Sequence, residues 1–280
     1  MRNLFINWRW LIPLLLYSSD AHAWGLCTHV YFAQLLLWAV PLTDPRYREA
    51  VRKFPRLVLA GACLPDLSLF GRQFGAHQLD GTHLWEHPRA QLDSADGAAE
   101  RAIALGYASH LLVDVIAHNH FVPAHEKIWM MPSAAAHVSA EWAMDRHIGA
   151  QLFAHPSKLM RQHRDELARY VAKHFDCQVE AAGNTLLSLA AAEASLRWSG
   201  IPGLCYGAAC YRDAGVRRRF NYYLSETAAR LPHINRLLAG EEPQWHAEPE
   251  ARDALNRLQS FSSLQLRNRI PLPQDIFVAA

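Results

Sequence analysis

The stretch Gly106-Tyr-Ala-Ser-His-Leu-Leu-Val-Asp-Val-Ile-Ala-His118 sets an imidazole and a carboxylate four residues apart inside an otherwise apolar run. Four residues is about one helical turn, so His110 and Asp114 project from one face of a helix whose other faces are apolar. His118 stands one further turn along the same face. An aspartate between Val113 and Val115 is costly to bury unless positive charge meets it. The chain must therefore fold so that a cation, or several polar groups, reach this face inside the protein. His137 and Glu141 repeat the four-residue spacing within Ala136-His-Val-Ser-Ala-Glu-Trp142. Nine of the 16 histidines fall between residues 77 and 147, a bunching that scattered surface imidazoles would not give. Two His/carboxylate pairs on consecutive helices are how a helical bundle builds a polynuclear metal site in its core. Imidazole with carboxylate, without clustered thiolates, suits Zn²⁺ in a catalytic role.

The rest of the chain carries no convincing strand pattern and no internal repeat, so the expected fold class is all-α, a multi-helix bundle. Helices are predicted over 32–40, 47–60 with a break at Pro55, about 98–117 capped by Asp96, 133–153 capped by Ser133, 157–175, 178–198 and 211–238. Residues 61–88, rich in glycine and proline, read as an irregular functional segment. Hydrophobic residues at 51% and charged ones at 19% are enough to build one sizeable core. The expected organisation is one domain over 24–280, with the metal site in 24–155 and additional helices and an irregular tail in 156–280. A formal net charge of +2 gives no global field toward nucleic acid or acidic lipid.

The first residues read as an address. Arg2 and Arg9 give a positive start, residues 10–17 form a short apolar run, and Ala21-His22-Ala23 has the form of a cleavage site. Residues 1–23 are thus an expected signal peptide, with an uncleaved anchor as the other reading, and Trp24 becomes the new N-terminus. Export, to the periplasm or beyond, follows, and allows disulfides. Cys205 with Cys210 and Cys27 with Cys63 are candidate pairings that sequence does not fix, and the odd number leaves at least one thiol free or paired between chains. No obligate protein partner is implied.

Taken in order, these elements resemble the bacterial zinc-dependent phospholipase C family and its relatives, the single-strand-specific zinc nucleases. The residues that carry the resemblance are Trp24-Gly-Leu-Cys-Thr-His29, Ala60-Gly-Ala-Cys-Leu-Pro-Asp66, Thr82-His83-Leu84-Trp85, His110 with Asp114 and His120, and His137 with Glu141. The resemblance implies a helical enzyme holding three zinc ions. One would take the Trp24 amine and carbonyl, His29 and Asp114. A second would take Asp66, His83, His110 and a bridging Asp114. A third would take His120, His137 and Glu141. Helix phase favours His118 where the family spacing favours His120, and His77 and His87 rival His83. Asp66 is the candidate to orient or deprotonate the attacking water, with plain ligation as its other role.

The implied activity is hydrolysis of phosphodiesters, phospholipid headgroups first, with peripheral membrane contact. The alternatives are a single-strand nuclease, which would bring nucleic acid as partner, and a non-catalytic exported zinc-binding protein. The chain departs from the family at Leu67, where an aromatic would cradle a quaternary ammonium headgroup. Trp85, Tyr107, Trp129 and Trp142 stand near enough to substitute. Beyond about residue 155 one local feature stands out, the basic-aromatic patch Val216-Arg217-Arg218-Arg219-Phe220 with Asn221-Tyr222-Tyr223. Such a patch reads first as a solvated helix face beside core aromatics, and otherwise suits lipid phosphates or nucleic acid.

Overall fold

The apolar run around His110 forms a 20-residue helix, Gly97–Ile116, with every residue from 102 to 116 buried. It is the centre of the computed structural model of the chain, in which residues 25–268 and 272–278 are described. The proposed signal peptide and Trp24 lie outside the described residues. In chain order the helices are α1 (Leu26–Ala39), α2 (Pro45–Lys53), α3 (Pro55–Gly61), α4 (Ser68–Gly71), α5 (Glu86–Ser94), α6 (Gly97–Ile116), α7 (Val122–Trp129), α8 (Ser133–Ile148) and α9 (Pro156–Gln162). There follow α10 (Arg164–Phe175), α11 (Val179–Ser199), α12 (Ile201–Arg212), α13 (Val216–Arg230), α14 (Ile234–Leu238), α15 (Ala251–Arg257) and α16 (Ser263–Arg267). No strand occurs among the described residues, and the fold is all-α. No helix among them is long and apolar enough to cross a membrane.

The expected helices differ from the observed ones where local chemistry interrupts a periodic pattern. Residues 47–60 form two helices, because Pro55 opens α3 and Phe54 between them leaves helical geometry (φ −131°, ψ 53°). Asp44 starts α2 by accepting the Arg46 N–H at 2.7 Å. Asp96 stands at the head of α6 without a side-chain cap bond, and its own N–H goes to Glu100 at 2.9 Å. Ser133 is not a cap but the first residue of α8, its hydroxyl turned to Glu126 at 2.9 Å. The single helix expected over 157–175 breaks at His163 into α9 and α10. Gly200, at φ +74°, turns α11 directly into α12, with Pro202 tolerated in its first turn. The segment 61–88 winds through α4 and short 3₁₀ turns into α5. All five cysteines are free thiols, so neither candidate disulfide is formed.

The apolar interior forms two clusters, and both draw on residues before and after 155. One packs Val30, Leu57, Tyr107 and Leu111 with Leu167, Val171, Leu186 and Ile234. The other packs Phe32, Val113, Phe121 and Met144 with Phe220, Tyr223 and Leu266. Where α3 crosses α6, backbone meets backbone. A Cβ on Gly106 would lie 2.0 Å from the Val58 carbonyl oxygen, and one on Gly61 would lie 2.3 Å from that of Ile103. This close approach brings the end of α3 within reach of His110, one turn further along α6. Gly106→Ala should therefore force the two helices apart and destabilise the fold by about 1–3 kcal/mol. Gly207, in α12, has nothing within 4 Å of its would-be Cβ; Gly207→Ala should be neutral or stabilise by up to ~1 kcal/mol. Urea denaturation of the two variants checks this, and equal effects would refute the crossing argument.

Candidate metal centre

Five side chains from separate segments converge on one face of α6. His110 and Asp114 come from α6 itself, His29 from α1, Asp66 from the 3₁₀ turn Pro65–Leu67, and His83 from the turn after His77–Gly81. All five are buried, none more than 8% exposed. Asp114 Oδ2 lies 3.0 Å from His110 Nε2 and 3.6 Å from His83 Nε2, while its Oδ1 lies 3.4 Å from His29 Nε2. Asp66 Oδ1 faces His110 Nε2 at 3.7 Å and His83 Nε2 at 3.8 Å. The His29 and His110 rings stack, with centroids 3.4 Å apart and planes 7° apart.

The backbone sets the orientation of these rings. The Ala62 carbonyl, at the end of α3, accepts from His110 Nδ1 at 2.8 Å. A carbonyl can only accept, so Nδ1 carries the hydrogen and Nε2 points its lone pair into the cluster. Burial disfavours protonation of His110, yet the charges of Asp114 and Asp66 raise its pKa above the ordinary value overall. His83 Nε2 lies 3.2 Å from His110 Nε2, and two facing lone pairs need a proton or a cation between them. Two sets of donors, His29 with Asp66 and His110, and His83 with His110 and Asp114, each lie within 4.8 Å of one another. Buried N and O donors this close, bearing two carboxylates, fit divalent zinc.

A latch holds Asp66 and His83 together. Tyr107, one turn before His110 on α6, donates its hydroxyl to the Thr82 carbonyl, and the Thr82 hydroxyl donates to the Pro65 carbonyl at 2.6 Å. Tyr107 thus serves the loops that carry two of the five residues. Of the rival histidines, His77 is exposed and His87 packs on Phe175 at 4.9 Å; His83 is the one that reaches the cluster. Trp85 is taken up by a bond from its Nε1 to the Trp245 carbonyl at 2.8 Å.

A second group lies where α6 ends. Ala117–Phe121 is one turn of π-helix, marked by the bond from Val122 N–H to the Ala117 carbonyl, five residues back. The wider turn keeps both His118 and His120 buried, at 6% and 7% exposed. His118 meets His137 edge to face at 5.6 Å, and His137 Nε2 lies 2.7 Å from Glu141 Oε1 on α8. His120 packs on Trp245 at 5.4 Å, and neither of its ring nitrogens has a hydrogen-bond partner among the described residues. Burial, helped by the charges of Arg257 and Arg230, pushes its pKa down to about 3, so the ring is neutral and available as a donor to a cation.

Three residues at the centre escaped the sequence reading. Asp145 follows Glu141 by one turn of α8 and caps α1 from outside, accepting from Thr28 N–H at 2.9 Å, Thr28 Oγ1 at 2.7 Å and Cys27 N–H at 3.3 Å. Its burial raises its pKa to about 7 against the pull of the Thr28 bonds. The Glu141-x3-Asp145 spacing was the available signal. Trp245 and Glu248 come from the tail, where no periodicity marked them. Glu248 Oε2 lies 3.7 Å from His83 Nδ1. A further set of donors, Cys27, His155 and Glu193, also lies together, but Arg197 Nε already donates to Glu193 at 3.1 Å and Ser157 N–H at 3.3 Å.

A family model described as zinc dependent phospholipase C matches residues 28–190. The chain belongs to the zinc-dependent phospholipase C family. No curated protein and no solved structure matches it. The span matched to the zinc-dependent phospholipase C family contains every residue of both groups from His29 to Glu141, and stops within α11. Trp245 and Glu248 lie outside it. Membership supports a zinc-dependent hydrolase.

Behind the π turn stands His125. Its Nδ1 donates to the Phe121 carbonyl at 2.7 Å, and its Nε2 accepts from Arg219 Nε at 3.0 Å. Burial first, then the Arg219 charge, push its pKa from 6.5 down to about 3. Between those values the unfolded chain binds a proton that the folded chain refuses. Stability is thus lost as the pH falls from 6.5, by up to ~1.4 kcal/mol per unit. His125→Asn should start less stable at neutral pH and lose less on acidification. Denaturation curves from pH 7 to pH 4 measure the difference in slope; parallel curves would show that His125 is not held neutral.

Proposed function

We propose that this member of the family is an exported zinc phosphodiesterase that hydrolyses phospholipid headgroups. The observation that carries the reading is the buried convergence of His29, Asp66, His83, His110 and Asp114 beside His118, His137 and Glu141. Asp114 turns one oxygen toward His29 and the other toward His110 and His83, an arrangement that suits a bridging carboxylate. In this proposal His29 and Asp114 hold one zinc together with the Trp24 amine and carbonyl. Asp66, His83, His110 and Asp114 hold a second. His137 and Glu141 hold a third with His118 or His120; His118 has its ring against His137, and His120 has its nitrogens open.

Bound zinc supplies Lewis-acid stabilisation of the phosphoryl oxygens and acidifies a water toward a pKa of ~7. The chain supplies the rest. The Ala62 carbonyl fixes the His110 ring, and Thr82 fixes the backbone of Asp66. Glu248 and Thr82 Oγ1 face His83 Nδ1 on the side away from the cluster, at 3.7 and 3.4 Å, and orient that imidazole. Asp66 faces both imidazole nitrogens and is the carboxylate assigned to orient or deprotonate the attacking water. Leu67 is wholly buried, so no aromatic at that position receives a choline headgroup.

The phospholipase reading predicts release of diacylglycerol from vesicles at a rate well above clearance of single-stranded DNA. Asp66→Asn should cut that rate by roughly 10²-fold or more. Faster clearance of DNA would make the chain a nuclease, and no turnover of either would make it a zinc-binding protein. The proposed export and the role of Trp24 share a second test. One residue added before Trp24 should remove the α-amine donor, lowering the metal count from the proposed three zinc per chain and depressing activity. Full metal content in the extended protein, read by mass spectrometry of the metal, would refute that ligand.

A further inference from the structure

A cleft of about 310 Å³, away from the metal ligands, is lined by Arg218, Arg219, Tyr222, Arg267 and Asn268. Arg218 and Arg219 come from α13 and Arg267 from the end of α16. The tail is pinned here by Lys127 of α7, whose ammonium donates to the carbonyls of Leu258, Gln259 and Phe261 at 3.0, 3.1 and 2.6 Å. Arg219 is only 3% exposed. Its Nε is spent on His125 and its Nη2 on Asp213 at 2.5 Å, while Nη1 has no hydrogen-bond partner among the described residues. A buried guanidinium donor without a partner costs free energy, and a ligand anion at the cleft wall would relieve it. The residues that line the cleft include three arginines and no carboxylate, and Asp213 meets Arg219, so the site is locally cationic in a chain of nearly balanced charge.

Arg267 is shared with a second cleft of about 310 Å³, whose walls include Ile128, Trp129, Met130 and Met131. Met130 is 88% exposed at a left-handed turn, and Leu264, one turn before Arg267, is 72% exposed. A basic cleft beside exposed apolar side chains fits an amphiphile, charged at one end and apolar beside it. Free phosphate would satisfy the arginines alone. Single-stranded nucleic acid would need a run of stacking faces, and the basic cleft offers only Tyr222.

We propose that the two clefts form a docking site for anionic phospholipid at a membrane surface. The headgroup phosphate sits among Arg218, Arg219 and Arg267, and Met130, Met131 and Trp129 meet the apolar boundary. This is a site of recruitment and does not depend on turnover at the metal centre. The test is sedimentation of the zinc-loaded protein with phosphatidylcholine vesicles, with and without phosphatidylglycerol. Wild type should partition onto the anionic vesicles. Arg218→Gln and Arg267→Gln, both surface changes, should each lower that partition about fivefold, the size of one basic side chain's attraction to an anionic leaflet. Zinc content, thermal stability and hydrolysis of a short-chain monomeric phospholipid should stay unchanged. Equal partition of wild type and double variant would overturn the proposal. So would inorganic phosphate binding with no preference for anionic vesicles, or stronger retention on single-stranded DNA of matched charge. Vesicle binding without any hydrolysis would refute the proposed function and leave this site standing.

Discussion

A carboxylate buried in the middle of an apolar helix is the constraint that organises this molecule. Asp114 is 1% exposed, between Val113 and Val115, which are equally buried. In such surroundings an ionised carboxylate is tolerable only when cationic or hydrogen-donating groups surround it. The chain brings three imidazoles to it, from α1, from the loop before α5 and from α6 itself. The second carboxylate, Asp66, adds to the negative charge rather than relieving it. Protons on the imidazoles or divalent cations can meet that charge. Family membership favours the cations and names zinc.

How accurately such a centre is built depends on backbone, not on the donor side chains. Gly61 and Gly106 let α3 and α6 approach closely, and that approach delivers the Ala62 carbonyl to His110 Nδ1. Tyr107 and Thr82 then fasten the loops carrying Asp66 and His83 to the same helix. Each of these residues, two glycines, a threonine and a buried tyrosine, has a positional function. Replacing any of them would leave the donor set intact on paper and shift it in space, and misplacement on the ångström scale is enough to lose catalysis.

Two pairs of candidate donors were legible in the sequence as a spacing of four, whereas His29, Asp66 and His83 were reached only through the family resemblance. His110 with Asp114 and His137 with Glu141 are those pairs, and the all-α class follows from the same periodicity. The choice between His118 and His120 was not legible. Straight helix phase puts one of them off the buried face, and only the π turn, with its extra residue, keeps both inside. The tail was illegible in a different way. Trp245 lies on His120 and Glu248 faces His83, yet both sit in an irregular loop held by main-chain bonds from Gln244 and Trp245 to the Ile276 carbonyl. Contacts between segments so distant leave no periodic trace. The cysteines misled because export permits disulfides without requiring them, and proximity in sequence does not bring thiols together.

Helix α8 joins the two metal groups more tightly than their separate positions suggest. His137, Glu141 and Asp145 follow one another at intervals of four and share one face. The first two pair with each other beside His118, while the third leaves the metal centre and caps α1 through Cys27 and Thr28. Thr28 immediately precedes His29, whose imidazole faces Asp114. The N-terminal turn of α1 is thereby held by the same helix face that presents Glu141. Gly25 makes room for this contact, since a Cβ there would fall 2.3 Å from the Asp145 carboxylate and displace it. The capping carboxylate thus sets where α1 begins. The Asp145 carboxylate therefore acts on the donor cluster from outside it, by fixing the helix turn that carries His29.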